Sequence, residues 1–493
     1  METIDIAVIV AYLAFMAGVG FWFMRRNKDA DAYFRAGGKL PWWVVSLSIY
    51  ATMFSSITFI SIPAMSFSGN IGYFALSFGM LTMAPVVIKW YLPFFRKLNL
   101  TSAYEYLEVR FNLPCRLFAS AAFILFMVAR AAIVTYLPAL AISTVAGLDI
   151  NIAIAAVTLV TILYCTVGGV EAVIWSDFMQ SIILIAATVL IIVVAISGTD
   201  GGLVGFVSQG LDAGKFRVFD MVLDWTRPCF WVVLIGGLVA NLASYTSDQC
   251  VVQRYMTTPD EKSAAKSILF NGVLSFVNSF IFFSLGVALW TFYRSHPGAL
   301  PEGVRPDAVL PLFIARELPV GVSGLVFAAV AAATMSTLSS NLNSGASAIA
   351  TDFYKRFGGK SLLLCGKVST AAIGFLSGAM ALWLANAEIG NIYDQFQRFL
   401  GILAGGLGCL FFMGRFLPRV NGFSAMCGLV ANYAVCFTLD TASFAGKPHI
   451  LLYGACGMAA CLAVSLIISI FTGRNFQTGF TGLGTSNDSK KSC

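Results

Sequence analysis

The sequence predicts an all-α polytopic membrane protein of about 13 transmembrane helices, built as two inverted halves. Three observations predict it. The 493 residues are 58% hydrophobic and only 11% charged, with a mean hydropathy of +0.82; a soluble globular chain carries about 25% charge. The apolar stretches are far longer than barrel strands, and backbone within lipid must bond internally, so they are helices. Two of them are interrupted by polar residues at corresponding places in the two halves, the sequence mark of inverted repeats.

Thirteen candidate spans, numbered zero to twelve, lie near 4–24, 41–66, 71–95, 113–146, 150–166, 173–196, 228–253, 265–292, 319–350, 364–385, 391–414, 418–438 and 449–472. Span zero ends at Arg25 and Arg26 without a small-residue cleavage pattern, so it reads as a retained helix. Residues 1–472 then make one transmembrane domain. It comprises the leading helix 4–24, repeats at about 41–196 and 228–414, and extra helices over 418–472. Residues 473–493, rich in Gly, Ser and Thr, read as a disordered polar cytoplasmic tail. The loops 197–227 and 293–318 mix Gly, Pro and charge and read as extracellular caps.

Basic residues set the orientation. With the N-terminus outside, inner loops and tail hold 21 of the 31 Lys and Arg, among them Arg96, Arg110, Arg116, Arg254 and Arg356. Outer loops hold seven, and Lys89, Arg130 and Arg398 fall within or at the ends of spans. The split predicts N-out and C-in, and makes the net charge of +7 a topology signal rather than a nucleic-acid footprint.

Little in the sequence supports enzymatic chemistry. The only histidines, His296 and His449, fall in outer loops. The eleven cysteines form no C-x-x-C pair and read as small apolar packing residues. Gly168-Gly169 is a turn rather than a phosphate loop, and no nucleophile elbow, Walker motif or metal cluster occurs.

The polar positions inside spans carry the functional signal. Span eight contains T-M-S-T-L-S-S-N-L-N-S over 334–344, with hydroxyls at Thr334, Ser336, Thr337, Ser339 and Ser340. At helical spacing they form a ridge of neutral oxygens. Such a ridge suits a small hard cation such as Na⁺, cannot cage a divalent ion without carboxylates, and offers nothing to zinc or copper. The alternative is that these hydroxyls glue helices together. Span one carries Thr52, Ser55, Ser56 and Thr58 in its middle, with Pro63 beyond; span six carries Asn241, Ser244, Tyr245, Thr246 and Asp248. A break there frees carbonyls that bind cations and helix N-termini that attract anions.

Two charges are expected within spans, where each calls for a partner or a function. Asp177, in I-W-S-D-F-M-Q, either completes a cation site with the span-eight hydroxyls or caps a helix near the inner surface. Arg130, in L-F-M-V-A-R-A-A-I, has no acid on its own helix face. Its guanidinium suits a substrate carboxylate bidentately, or else a salt bridge to another helix.

Several stretches resemble the sodium:solute symporter family, most closely its bacterial sialic acid symporters. They are Y-A-T-M-F-S-S-I-T-F-I-S-I-P-A (50–64), F-F-R-K-L-N-L-T-S-A-Y-E-Y-L-E-V-R-F (94–111), G-G-V-E-A-V-I-W-S-D (168–177), D-Q-C-V-V-Q-R-Y (248–255) and A-A-A-T-M-S-T-L-S-S-N-L-N-S (331–344). The resemblance implies a LeuT-type fold of five plus five core helices and uptake driven by Na⁺. It implies a main Na⁺ site formed by Ala51, Phe54, Ala333, Ser336 and Thr337. A second Na⁺ site would use Asp177, Ser336, Ser339 and Ser340, so that two ions move per cycle. For substrate it implies Ser55, Thr58 and Arg130, with Ser77 where a glutamine is expected and Gly237 where a bulkier residue is expected; Asn241 of the span-six break joins them. The expected protein is a monomeric multi-pass importer of an acidic sugar, best matched by sialic acid, in a bacterial inner membrane. Another monocarboxylate, a neutral sugar, or a non-transporting sensor are the alternatives.

Overall fold

The structure, a computed structural model, describes residues 2–24, 30–98, 100–146, 148–387, 400–401, 405–442 and 444–472. The described residues form helices and no strands. In chain order the helices are α1 (Thr3–Met24), α2 (Ala30–Arg35), α3 (Trp42–Met53), α4 (Ser56–Ser68), α5 (Leu76–Trp90), α6 (Leu92–Leu98), α7 (Glu105–Arg110) and α8 (Leu113–Ala146). Then come α9 (Ile150–Ser197), α10 (Gly202–Asp212), α11 (Phe230–Thr246), α12 (Gln249–Met256), α13 (Glu261–Ser295) and α14 (Pro306–Glu317). The series closes with α15 (Val322–Ala348), α16 (Leu362–Ala385), α17 (Gly405–Phe416), α18 (Gly422–Thr441) and α19 (Tyr453–Phe471).

Nine of the described helices are long and apolar enough to cross a bilayer, or eleven if two bent pairs each count as one span. Those pairs are α3–α4, bent by 60°, and α11–α12, bent by 52°, and they coincide with the polar interruptions of spans one and six. Spans four and five run on as the 48-residue helix α9, about twice what a bilayer requires. Its continuity is broken at Gly169, whose φ of 59° and ψ of −165° belong to glycine alone. Half of span ten, 391–399 and 402–404, lies outside the described residues, as do Arg25, Arg26, Lys28, Arg398 and the tail 473–493.

Helix α15 is the hub. It packs against α9, α8, α16 and α1, and its side chains from Ser323 to Ala348 are almost all buried. A helix surrounded by protein can carry hydroxyls cheaply, because they bond back onto its own carbonyls: Thr334 Oγ1 donates to Val330 O at 2.9 Å and Ser340 Oγ to Ser336 O at 2.6 Å. The outer helices instead turn large apolar side chains outward, as Trp22 of α1 and Phe471 of α19 do.

Helices α5 and α11 cross at glycines. A Cβ added at Gly79 would stand 2.5 Å from the Gly237 carbonyl oxygen, and one at Gly237 would stand 2.8 Å from the Leu76 carbonyl oxygen. The smallness of Gly237 therefore lets two backbones touch, and the same residue lines the cavity described below. Gly79→Val should cost about 1–3 kcal/mol through overpacking and lower the melting temperature of the detergent-purified protein. Gly18→Val, where an added Cβ meets nothing within 4 Å, should leave it unchanged.

Candidate functional site

Helix α3 stops at Met53, and Phe54 and Ser55 run extended before α4 begins. The last carbonyls of α3 thus lose their helical partners. That of Ala51 faces α15: Ser336 Oγ lies 3.2 Å from it and 3.1 Å from Ala333 O, and Thr337 Oγ1 lies 3.5 and 3.3 Å from the same two oxygens. Four of the five expected main-site residues are therefore in mutual contact, and Phe54 sits at the break beside them. The set is two carbonyls and two hydroxyls, neutral and hard, which fits a monovalent cation. Among the described residues no group of three or more His, Cys, Asp or Glu is placed to hold a metal.

Ser339 and Ser340 lie one turn further along, each donating to Ser336 O, at 2.9 and 2.6 Å. Asp177 of α9 is completely buried, not an interfacial cap. Its Oδ2 accepts from Ser48 Oγ at 2.6 Å and from Arg254 Nη2 at 2.9 Å, while its Oδ1 has no hydrogen-bond partner. Arg254 Nη2 also donates to Ser340 Oγ, Nε to Ser48 Oγ at 2.7 Å and Nη1 to Cys250 O at 2.6 Å. The guanidinium thus joins Asp177 to the serine ridge. Counted by sequence among the inner-loop cations, Arg254 is in fact one of the largest fully buried side chains. The residue follows C-V-V-Q on α12, four positions after buried Cys250, and that helical spacing is the signal that its side chain faces inward.

The third group lines a cavity of ≈ 170 Å³ that includes Thr52, Phe123, Phe126, Arg130, Asn241 and Asp248. Arg130 Nη2 donates to the freed Thr52 carbonyl at 2.7 Å and Nη1 pairs with Asp248 Oδ2 at 3.3 Å, while Nε is buried without a partner. Arg130 has its acid after all, on the other broken span. Asn241 Nδ2 turns back onto Gly237 O at 2.8 Å; both residues line the cavity. Ser55 and Ser77 are buried, Thr58 is half-buried, and none of the three lines this cavity.

Sequence reasoning also missed a cluster just past the C-terminal end of α15. Arg116, counted as an inner-loop cation, is buried and pairs with Asp352 and Glu108 at 2.8 and 2.7 Å. Ser102 and Ser120 donate to the same Asp352 carboxylate at 2.7 and 2.8 Å. Arg356 completes the cluster and holds the Glu108 carboxyl below the usual range.

With this geometry in place, comparison with known proteins is specific. The model of the sodium:solute symporter family matches residues 33–431. The chain is 36% identical to a sodium/sialic acid symporter of Proteus mirabilis (strain HI4320), over 95% of each protein. It is 36% identical to one of Aliivibrio fischeri (strain ATCC 700601 / ES114), over 94% of this chain and 92% of that protein. A solved structure of a Na⁺-coupled sialic acid symporter, substrate-bound and outward-open, superposes with a TM-score of 0.90 at 35% identity, covering 96% of this chain and 99% of that one.

The Asp177–Arg254 pair has a measurable consequence. Asp177→Asn leaves a buried guanidinium without its counter-charge, which should cost about 3–5 kcal/mol and appear as a lower melting temperature of the purified protein. Adding Arg254→Gln should restore part of the loss; strictly additive losses would mean that the two do not act as a pair.

Proposed function

This chain belongs to the sodium:solute symporter family, and on that premise we propose that it imports an acidic sugar, sialic acid, together with Na⁺. It is a multi-pass solute transporter with Na⁺ as its coupling ion, not an enzyme. The observation that carries the proposal is the convergence of the Ala51 and Ala333 carbonyls with the Ser336 and Thr337 hydroxyls next to the Arg130 cavity. The likeness to two sodium/sialic acid symporters at 36% identity supports the substrate.

In this reading the main Na⁺ is held by the Ala51, Phe54 and Ala333 carbonyls and the two hydroxyls. A second sits between Asp177, Ser336, Ser339 and Ser340, where the unpartnered Asp177 Oδ1 offers a charged ligand. Either ion ties the broken span to α15, and the Na⁺ gradient then drives uptake by alternating access in a LeuT-type inverted-repeat core. Arg130 and Asn241 meet the substrate in the cavity. Ser55, Thr58 and Ser77 stand outside this cavity and join the proposed substrate site on the strength of the family resemblance.

The positive-inside split still supports N-out and C-in. Without the buried Arg116 and Arg254, the inner basic count is 19 instead of 21. We take the protein to be a monomer in a bacterial inner membrane. A neutral sugar is the second reading, favoured by one observation: the Arg130 fork already holds a carboxylate, that of Asp248.

Counterflow in proteoliposomes against a panel of sugars and carboxylates, with and without Na⁺, tests the function; Na⁺-dependent exchange of sialic acid is expected, and preference for neutral sugars sinks the acidic reading. Ser336→Ala should remove a ligand common to both Na⁺ sites. A contact to a charge contributes roughly 1.5–3 kcal/mol, so half-saturation should need about tenfold more Na⁺ or beyond. An unchanged Na⁺ curve would refute the assignment.

A further inference from the structure

We propose that Asp248 is a built-in competitor for the substrate's acid group, filling the Arg130 fork in the substrate-free protein and thereby setting affinity and selectivity for carboxylates. The inference rests on Arg130 being the carboxylate-binding residue of the proposed function.

Asp248 and Arg130 line the same cavity, with side chains 12% and 9% exposed. The two Asp248 oxygens have different tasks. Oδ1 accepts the Cys250 backbone N–H at 2.8 Å and caps α12, which holds the carboxylate in place. Oδ2 makes one contact to Arg130, at 3.3 Å. That is long for a charge-assisted bond, which closes to about 2.7–2.9 Å when geometry allows. Arg130 Nη2, by contrast, lies 2.7 Å from the Thr52 carbonyl. The guanidinium is thus anchored by one nitrogen and weakly engaged by an acid at a second, and its Nε is buried with no partner. A fork in that state has bidentate capacity that Asp248, tethered by its cap, does not use. A free carboxylate in the cavity can present both oxygens at once, so it displaces Asp248.

The exchange also has a mechanical side. Arg130 lies on α8, Thr52 on the last turn of α3 and Asp248 on the first of α12. While Asp248 holds the fork, Arg130 links the two broken spans; once a substrate takes its place, α12 is released from that link. A neutral sugar offers nothing to exchange and leaves the link closed. Selectivity for acids then follows from what the empty protein must give up as well as from what the substrate gains.

If the fork is closed in about nine molecules of ten, the apparent Kd of an acidic substrate is raised about tenfold. The test uses the purified full-length protein in nanodiscs at saturating Na⁺, with calorimetric binding of sialic acid and of its methyl ester. Asp248→Asn and Asp248→Ser keep an N-cap oxygen for α12 while removing the charge. Both should tighten sialic acid about tenfold and leave the ester unchanged. Unchanged or weaker binding of the acid overturns the proposal, and so does failure of both variants to purify as monodisperse protein, since Asp248 is then a structural partner of Arg130. The wild type separates this outcome from failure of the underlying function. If it binds acid and ester equally, Arg130 is not a carboxylate site and the proposed function falls first. If it prefers the acid and the variants gain nothing, only the competitor role is lost.

Discussion

Ser336 and Thr337 reach the Ala51 carbonyl because α3 ends two residues later. Helices leave their last carbonyls unpaired, and in hydrocarbon such groups must be satisfied by protein. The break at Phe54–Ser55 therefore dictates what surrounds it. The Ala51 oxygen is met by two hydroxyls of α15 and the Thr52 oxygen by Arg130. The break packs against a helix whose residues are almost all buried. The second break repeats the solution with other parts: Asp248 caps α12 with one oxygen and turns the other to Arg130.

Three arginines then stitch the bundle. Arg254 joins α12 to α9, α3 and α15; Arg130 joins α8 to both breaks; Arg116 joins α8 to α7 and to Asp352 beyond the end of α15. Buried ion pairs add little net stability against apolar replacements, because both charges leave water. Their strength is directional. Each guanidinium donates best to oxygens lying in its plane, so each fixes the relative position of three or more segments. In a bilayer no hydrophobic force does this, since lipid is as apolar as the side chains.

The sequence was legible where chemistry is local. Both breaks announce themselves as polar runs inside apolar spans, and the hydroxyl ridge as helical spacing on one segment. What it withheld were partners brought from elsewhere in the fold. Arg130 lacks an acid on its own helix, which is true and uninformative, because Asp248 arrives from a span 118 residues away. Arg254 looks like a loop cation because it follows the last apolar residues of span six, yet α12 carries it back under α9. Gly237 reads as a small residue in the span-six wall, and only the fold shows that it also admits the Leu76 backbone. Polar pattern reads along one helix; pairing and close approach are properties of two.

Thr52 shows why such pairings bear on coupling. Its side-chain oxygen lies 2.8 Å from Ser48 O and 3.1 Å from Ser340 Oγ, while its carbonyl accepts from Arg130 at 2.7 Å. Ser48 and Ser340 are both bonded to Arg254, the partner of Asp177. One residue thus touches the proposed second Na⁺ site with its hydroxyl and the proposed substrate site with its carbonyl. Coupling between two ligands requires a shared element whose arrangement both of them bias. Thr52 is on the last turn before the break, where the backbone has the fewest internal bonds to resist a shift. An ion at the proposed second site that drew Ser340 toward Asp177 would pull on the Thr52 hydroxyl, and the carbonyl that orients Arg130 would move with it. In the proposed function, the same turn that offers the Ala51 carbonyl to the main Na⁺ site would also give sodium and the substrate's acid group a physical route to sense each other.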